Sequence, residues 1–311
     1  MKQLPILSYL RFLALLLWGG MVASGQAQTL RETGRKLQPS DSATLFTPAP
    51  RYLTGTQDIS FVLGVNERTD SYLSPLRYSG LSYGVQAAGY TPVSSGKYPW
   101  ILTQKGLALG SFPISEAYSA GMLIHSFGYN IGAECIFPLP YGIKLSVGPE
   151  LAALYERTTH TRNQNNSENT AADLDLLLSV RGGYQLPWHK FPMRILIDAR
   201  LGVVGLGVTP NFKESWWQVS DLSGIARHLT LHGWGARRIA RAGVQLYLPV
   251  ARVCSFQLGY EYAYSDKIMR GLDRIHSAHL FTAGVSLDLF SLGGYAAAHT
   301  PHFSNPMFTN E

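Results

Sequence analysis

Nine charged residues stand at alternate positions in segments whose remaining positions are mostly apolar. Successive side chains of a β-strand point to opposite sides, so this spacing places acids and bases together on one face. The set is Glu150, Asp173, Asp175, Arg181, Arg194, Asp198, Arg200, Arg241 and Glu261. In a closed barrel, such residues would either line a solute-selective pore or pair with one another and fill the lumen. A ten-strand barrel is only slightly wider than the eight-strand size that side chains can fill, so we favour the ion-pair plug.

Histidine and aspartate residues recur in the segments predicted to be loops. They are His160, His228, His232, His276, Asp221, Asp266 and Asp273. A His–Asp pair can orient an imidazole for acid–base catalysis, and His228 and His232 could hold a metal if Ser223–Leu231 is helical. No nucleophile motif and no third ligand accompany them. The sequence therefore predicts neither an enzyme nor a cofactor or metal site, with an outer-membrane hydrolase carrying a loop-rim site as the alternative.

The strand pattern is clearest in Ala171–Val203. Ala172, Leu174, Leu176 and Leu178 alternate with the polar positions of a first arm, and Met193–Val203 alternates likewise after the turn Pro187–Pro192. Strands of soluble sheets are usually about five to six residues long. These arms are longer, and suit strands with about nine to eleven membrane-embedded residues.

The same alternation recurs along the chain and predicts ten strands. Besides the two arms, they are Gln57–Val65, Leu81–Tyr90, Ile101–Gly110, a strand ending at Phe137 and starting near Tyr118, Ile143–Tyr155, Arg237–Leu248, a strand from Cys254 to Tyr264 and a last one over Phe281–Leu289. In Ile101–Gly110 the pattern is less regular, because Lys105 falls on the face that Leu107 and Leu109 make apolar.

The predicted connections alternate between short and long. The short turns are Pro138–Gly142, Pro187–Pro192 and Pro249–Ala251, and the long loops include Asn66–Gly80, Arg157–Thr170, Thr209–Gly235 and Ser265–His276. Short periplasmic turns and longer outer loops are typical of bacterial outer-membrane barrels. We predict an all-β, antiparallel up-and-down transmembrane β-barrel of about ten strands. Eight or twelve strands, and a periplasmic β-sandwich or lipid-binding barrel, stay open.

Composition and the chain ends predict an exported protein. Residues 1–27 resemble a secretory signal peptide, residues 28–56 a periplasmic lead-in, residues 57–290 the barrel, and residues 291–311 a tail after the aromatic Phe290. The net charge of +6 includes Lys2 and Arg11 of the signal peptide, and no basic run suggests nucleic acid. Cys135 and Cys254 fall on apolar strand faces, where we expect packed or lipid-facing thiols.

Several loop motifs resemble an uncharacterised domain family of exported, outer-membrane proteins from Bacteroides-type bacteria. The motifs are Asp70–Gly80, Thr161–Asn166, Thr209–Phe212 with Ser215–Trp217, and the ending from Arg270 to Phe290. Ser167 and Glu168 stand where the family has Pro and Ala, and Trp216 and Trp217 replace two tyrosines. The resemblance implies an origin and a location but no reaction. The loop-motif candidates are Asp70, Tyr72, Pro75, Tyr78, Gly80, Arg162, Asn163, Asn165, Asn166, Pro210, Trp216 and Trp217.

These motifs could be loops packed by their own side chains, or a surface for a protein or glycan partner. The expected function is thus an outer-membrane barrel, exported through the Sec pathway and surrounded by lipid, that acts as a narrow channel or as a scaffold presenting its loops.

Overall fold

A closed antiparallel barrel emerges in a computed structural model, which describes residues 55–93, 98–116, 120–162, 167–186, 193–210, 214, 222–251 and 254–289. The elements in chain order are β1 (Gly55–Asp70), β2 (Ser74–Pro92), β3 (Trp100–Ser111), β4 (Ile114–Ser115), β5 (Met122–Pro138), a 3-10 turn (Pro140–Gly142), β6 (Lys144–His160), β7 (Glu168–Gln185), β8 (Arg194–Val208), helix α1 (Leu222–His228), β9 (Leu229–Gly233), β10 (Arg237–Ala251), β11 (Cys254–Met269) and β12 (Leu272–Leu289).

Ten long strands form the barrel wall in the order β1-β2-β3-β5-β6-β7-β8-β10-β11-β12. The wall closes because β1 pairs with β12 as well as with β2. The short strands are additions: β4 pairs with β2, and β9 extends the β8 edge beyond β10. The prediction of an antiparallel barrel of about ten strands is confirmed.

The outside of the barrel is apolar, because side chains along each strand alternate between the lumen and the exterior. On β1, Ile59, Phe61, Leu63 and Val65 point outward, and Phe61 is 76% exposed. Ile197 on β8 and Phe281 on β12 are each 58% exposed. We call this outward-facing band the apolar belt; it runs over 59–65 on β1 and 281–287 on β12. A continuous apolar exterior of this kind marks a membrane or protein contact surface rather than a water-facing one.

The strands continue past the apolar belt at the distal end, which is the end opposite Gly55 and Leu289. Asn66–Gly80, predicted as a long loop, is instead the end of β1, a turn at Ser71–Leu73 and the start of β2. Ser265–His276 is likewise a hairpin, whose turn residues Arg270 and Gly271 have φ of 53° and 73°. Positive φ at both central residues is what a two-residue turn requires for the right-handed twist of its strands.

The other two predicted long loops are also shorter or more ordered than expected. Within Arg157–Thr170, β6 reaches His160 and β7 begins at Glu168. Within Thr209–Gly235, α1 and β9 form, and the helix ends at His228, so His232 lies on a strand. The helical His228–His232 pair considered for a metal is therefore wrong.

Two smaller strand expectations are also corrected or refined. The strand ending at Phe137 continues one residue further and starts at Met122, not near Tyr118. On β3, the face that holds Lys105, Leu107 and Leu109 points into the barrel, with Ile101 and Lys105 buried. The apolar appearance of that face came from lumen residues and not from lipid-facing ones.

Both cysteines are free thiols, as the sequence predicted. Among the described residues, no helix has the length and hydropathy needed to cross a bilayer. The predicted signal peptide, the tail, the turn at Pro187–Pro192 and Phe290 lie outside the described residues, as does most of the lead-in.

Candidate functional site: the filled lumen

An apolar cluster occupies the lumen at the proximal end, near Gly55 and Leu289. It consists of Ala88, Tyr90, Ile101, Ile136, Leu196 and Tyr247. The Tyr247 hydroxyl donates a hydrogen bond to Asp58 across the lumen at 2.8 Å, and the Arg181 guanidinium lies 5.3 Å from the centre of the Tyr90 ring. Side chains from at least six strands thus meet here and leave the barrel filled.

A layer of buried ion pairs, the central layer, lies above this cluster. Its members are Lys105, Glu134, Glu150, Arg181, Asp198, Arg200 and Glu261. Arg181 contacts Glu134 and Glu150 at 3.1 Å each. Arg200 contacts Asp198 at 3.0 Å and Glu261 at 3.6 Å. Because a buried charge is costly unless it is paired, this connectivity is what allows the charges to stay inside.

The contacts of the central layer join distant parts of the wall. Lys105 on β3 pairs with Glu261 on β11, and these strands are separated in the barrel order by β2, β1 and β12. Asn130 and Ser146 donate further hydrogen bonds, to Glu150 at 2.5 Å and to Glu134 at 2.7 Å. The opposite walls are therefore in direct contact through side chains.

A second layer of ion pairs, the distal layer, lies beyond the segments of β1 and β12 that carry the apolar belt. It contains Arg68, Asp70, Glu156, Asp173, Asp175, Arg237, Lys267 and Arg274. Arg237 bridges Asp173 at 2.6 Å and Asp175 at 2.9 Å. Arg68 and Arg274 share Glu156, although β12 and β6 lie on opposite sides of the barrel.

Each layer balances its own charge. The distal layer has four acids and four bases. The central layer has four acids and three bases, and Arg241, which interacts electrostatically with Glu150 and Glu261, supplies the fourth. A layer that leaves no net charge has little long-range field with which to draw ions through a pore, in contrast to the single-sign rings of selective pores.

Two glycines of β8 make room for the distal layer. A Cβ at Gly207 would lie 2.0 Å from Asp173 Oδ1, and one at Gly205 would lie 2.2 Å from Asp175 Oδ1 and 2.6 Å from His232 Nε2. No side chain fits at such distances, so the two carboxylates occupy the space that glycine leaves free. His232 bonds Asp175 at 2.9 Å in this space.

Burial and neighbouring charges shift the ionisation of distal groups. Burial opposes the charge on Glu156, but Arg68 and Arg274 outweigh it and hold the pKa of Glu156 below its usual value. Burial lowers the pKa of Lys267, and Asp173 only partly offsets this. Burial, followed by the charge of Arg68, lowers the pKa of His276 to about 4. His276 is thus neutral at pH 7, while Glu156 stays ionised.

The predicted lumen residues all lie on the inner wall. Seven of the nine are buried, and Arg194 and Arg241 are half-buried. The predicted lumen set did not include Arg68, Lys105, Glu134, Glu156, Arg237, Lys267 and Arg274. Glu134 lies between the outward-facing Ala133 and Cys135, so alternation could have found it. Arg68, Lys267 and Arg274 lie in segments predicted to be loops, and Glu156 lies just past the predicted end of its strand at Tyr155.

The predicted loop motifs are partly structural. Asp70, Tyr72, Tyr78 and Pro210 are buried, Pro75 and Arg162 are exposed, and a Cβ at Gly80 would lie 2.6 Å from backbone atoms of Phe112 and Pro113. Asp70 accepts a hydrogen bond from Asn169 of β7 at 2.9 Å, across the distal mouth. Asn163, Asn165, Asn166, Trp216 and Trp217 lie outside the described residues.

The histidines do not form one constellation. His160 bonds the Tyr78 hydroxyl at 2.8 Å, His228 bonds Glu214 at 2.5 Å, and His232 bonds Asp175. Of the acids weighed with them, Asp266 is buried, Asp273 is exposed, and Asp221 lies outside the described residues. In the part of the chain that the structure describes, no three His, Cys, Asp or Glu side chains are placed to hold a metal ion.

The fold and the filled lumen define a ten-strand antiparallel β-barrel with an apolar exterior and a charged, closed interior. The chain belongs to the family described as "Protein of unknown function (DUF3316)", whose model matches residues 12–295. No curated protein matches the sequence.

Several solved structures of outer-membrane barrels are similar to this one. The outer membrane protease OmpT from Escherichia coli aligns with a TM-score of 0.45 at 8% identity, over 80% of this chain and 100% of that one. The β domain of the Bordetella autotransporter BrkA aligns with a TM-score of 0.38 at 12% identity, over 76% and 100%. The translocator domain of the autotransporter NalP from Neisseria meningitidis aligns with a TM-score of 0.39 at 11% identity, over 86% and 98%.

Proposed function

We propose that this protein is exported to the outer membrane, and that it acts there as a scaffold presenting its distal end and not as an open channel or an enzyme. The observation that carries the proposal is the lumen, which two charge-balanced ion-pair layers and an apolar cluster close from wall to wall at three levels. The proximal end would face the periplasm and the distal end the cell exterior.

The apolar belt supports a membrane location. Large apolar side chains such as Phe61, Leu63, Ile197 and Phe281 cover the outside, while carboxylates and guanidinium groups occupy the inside. A soluble sandwich would have the reverse arrangement, because its apolar faces would meet in a core. A closed barrel also satisfies every wall strand by pairing, which lipid demands.

Solute flow would have to break several contacts at once. The Lys105–Glu261 pair and the Arg274–Glu156 pair cross the lumen at two levels, and the first of these pairs is itself tied to Arg200. Breaking one partner from a buried pair costs about 3–5 kcal/mol. A population that opens both layers would therefore be small.

Catalysis at the rim has little support in the geometry. His160, His228 and His232 each bond a separate partner, and His232 and Asp175 are both buried. The exposed distal surface instead carries polar and apolar groups side by side, among them the Arg77–Glu67 pair and Leu76, which is 48% exposed. A protein or glycan partner would contact this surface.

Planar-bilayer recordings on the purified, folded barrel test the proposal. Folding is first checked by the gel shift between boiled and unboiled samples. We expect wild type to show no single-channel steps. A Lys105→Ala/Glu261→Ala double variant, which removes both partners of one cross-lumen pair, should conduct more than wild type. The matched control is Gln104→Ala, at the neighbouring position, whose side chain points away from the lumen.

Steady single-channel conductance from wild type would refute the closed-lumen scaffold and establish a channel. If both the double variant and Gln104→Ala conduct, the recordings report general damage to the barrel. The claim that the Lys105–Glu261 pair closes the lumen would then lose its support.

A further inference from the structure

A chamber lies inside the barrel between the central and distal layers. Its volume is about 100 Å³. Its floor includes Arg241 and Glu261, and its ceiling includes Arg68, Glu156 and Arg237. The walls between them are mostly aliphatic, with serine hydroxyls interspersed; the aliphatic side chains are Leu107, Leu109, Ile124, Leu177, Ile239 and Leu280.

The ceiling has hydrogen-bond donors that no described residue satisfies. Arg68 Nε and Nη1 and Arg237 Nε are buried and have no partner among the described residues, while Arg68 Nη2 and the two Nη atoms of Arg237 are bonded. Arg68 is 2% exposed and Arg237 6%. Leaving a donor of a charged group unpaired in the interior is costly, because the group loses its hydrogen bond to water and gains none in return.

The ceiling and the walls of the chamber favour different parts of one ligand. Guanidinium N–H groups form their strongest hydrogen bonds with carboxylate oxygens, and one carboxylate offers about four acceptor sites. Aliphatic walls favour hydrocarbon and not water. Because an apolar cavity of roughly 150 Å³ holds a six-carbon ring, the present chamber has room for a ligand of about four carbons in all.

We propose that the chamber binds a small monocarboxylate with a short hydrocarbon tail, its carboxylate at Arg68 and Arg237 and its tail against Leu177, Ile239 and Leu280. The site is non-covalent, and it is independent of the scaffold role. If the chamber binds no ligand, the barrel should still show no channel steps in the bilayer recordings. If the barrel proves to be an open channel, that result alone would not explain saturable ligand binding.

Equilibrium dialysis with radiolabelled butyrate, on the detergent-solubilised full chain, tests this inference. We expect saturable binding, at least tenfold tighter than that of butylamine, which has the same size and the opposite charge. Octanoate should bind at least tenfold more weakly, because its tail exceeds the chamber.

Two variants locate the site. Ala278→Leu adds three carbons at a position that is 2% exposed and lines the chamber, and should weaken butyrate binding at least tenfold. Ala283→Leu makes the same change at an exposed position of the same strand and should have no effect. If Ala278→Leu fails the gel-shift test of folding, Ala152→Leu at another wall position replaces it.

An absence of saturable butyrate binding by wild type would overturn the inference. The unpaired N–H groups of Arg68 and Arg237 would then be hydrogen-bonded only to water. Equal binding by Ala278→Leu and wild type would also overturn it, since butyrate would then sit elsewhere. Equal affinity for butyrate and butylamine would exclude recognition by the guanidinium groups.

Discussion

Replacing Gly207 with alanine should destabilise the barrel through the distal layer. The new Cβ would lie 2.0 Å from Asp173 Oδ1 and 3.0 Å from Lys267 Nζ. Asp173 would have to move away from Arg237 and Lys267, which it now contacts at 2.6 Å and 2.9 Å. Overpacking alone costs about 1–3 kcal/mol, and the complete break of a buried pair about 3–5 kcal/mol. We therefore expect a loss of about 3 kcal/mol in the free energy of unfolding.

Urea unfolding of the folded barrel in detergent, followed by tryptophan fluorescence, measures this loss by linear extrapolation. Gly182→Ala is the matched control, because a Cβ at Gly182 would have no heavy atom within 4 Å. Alanine is less costly than glycine inside a strand by roughly 0.5–1 kcal/mol, so Gly182→Ala should be neutral or slightly stabilising. If the free energies of unfolding of Gly207→Ala and Gly182→Ala differ by less than about 0.5 kcal/mol, which is the usual scatter for independent sites, the close approach of Gly207 to the Asp173 carboxylate does not constrain the fold.

Three further predictions concern the two layers and the distal mouth. A double-mutant cycle on Lys105→Met and Glu261→Gln should give a coupling energy of about 1–3 kcal/mol in urea unfolding, and additive effects would contradict a direct pair. The pKa of His276 is lowered to about 4, so the unfolded chain binds a proton at higher pH than the folded barrel, and the free energy of unfolding should fall between about pH 6.5 and 4. His276→Gln should reduce that fall, and an unchanged pH profile of stability would contradict the prediction. Asn169→Ala, which removes the bond to Asp70, should speed amide exchange in the β1–β2 turn, and exchange equal to wild type would count against a cross-mouth tie.

The barrel was predictable because its signal is local. Alternation in residues 171–203 identifies β7 and β8, and it assigns Asp173, Arg181, Asp198 and Arg200 to the inner face. The period of two needs no knowledge of neighbouring strands. It also placed Cys135 and Cys254 on the outer wall as unpaired thiols.

The distal extension was not predictable in the same way. Beyond the apolar belt, both strand faces are polar or mixed, as in Asn66–Asp70, so apolar alternation disappears although pairing continues. Arg68 lies in such a stretch, so it was missed, whereas Asp173 and Asp175 of the same layer alternate with outward-facing leucines and were predicted. The identity of the cross-lumen ion pairs also depends on barrel closure and register, which bring together residues as distant in sequence as Lys105 and Glu261.

The seam between β1 and β12 has a consequence for biogenesis. It pairs Gly55 with Leu289 and continues to Asp70 and Arg274, so it joins the two ends of the described chain and forms only when all other strands are in place. Until then each edge presents bare backbone groups, which lipid does not satisfy, and the lumen charges stand in water without their cross-wall partners. Loop-closure entropy makes so distant a contact slow to form. We therefore expect zipping of this seam, with expulsion of water from the lumen, to be the rate-limiting event of assembly.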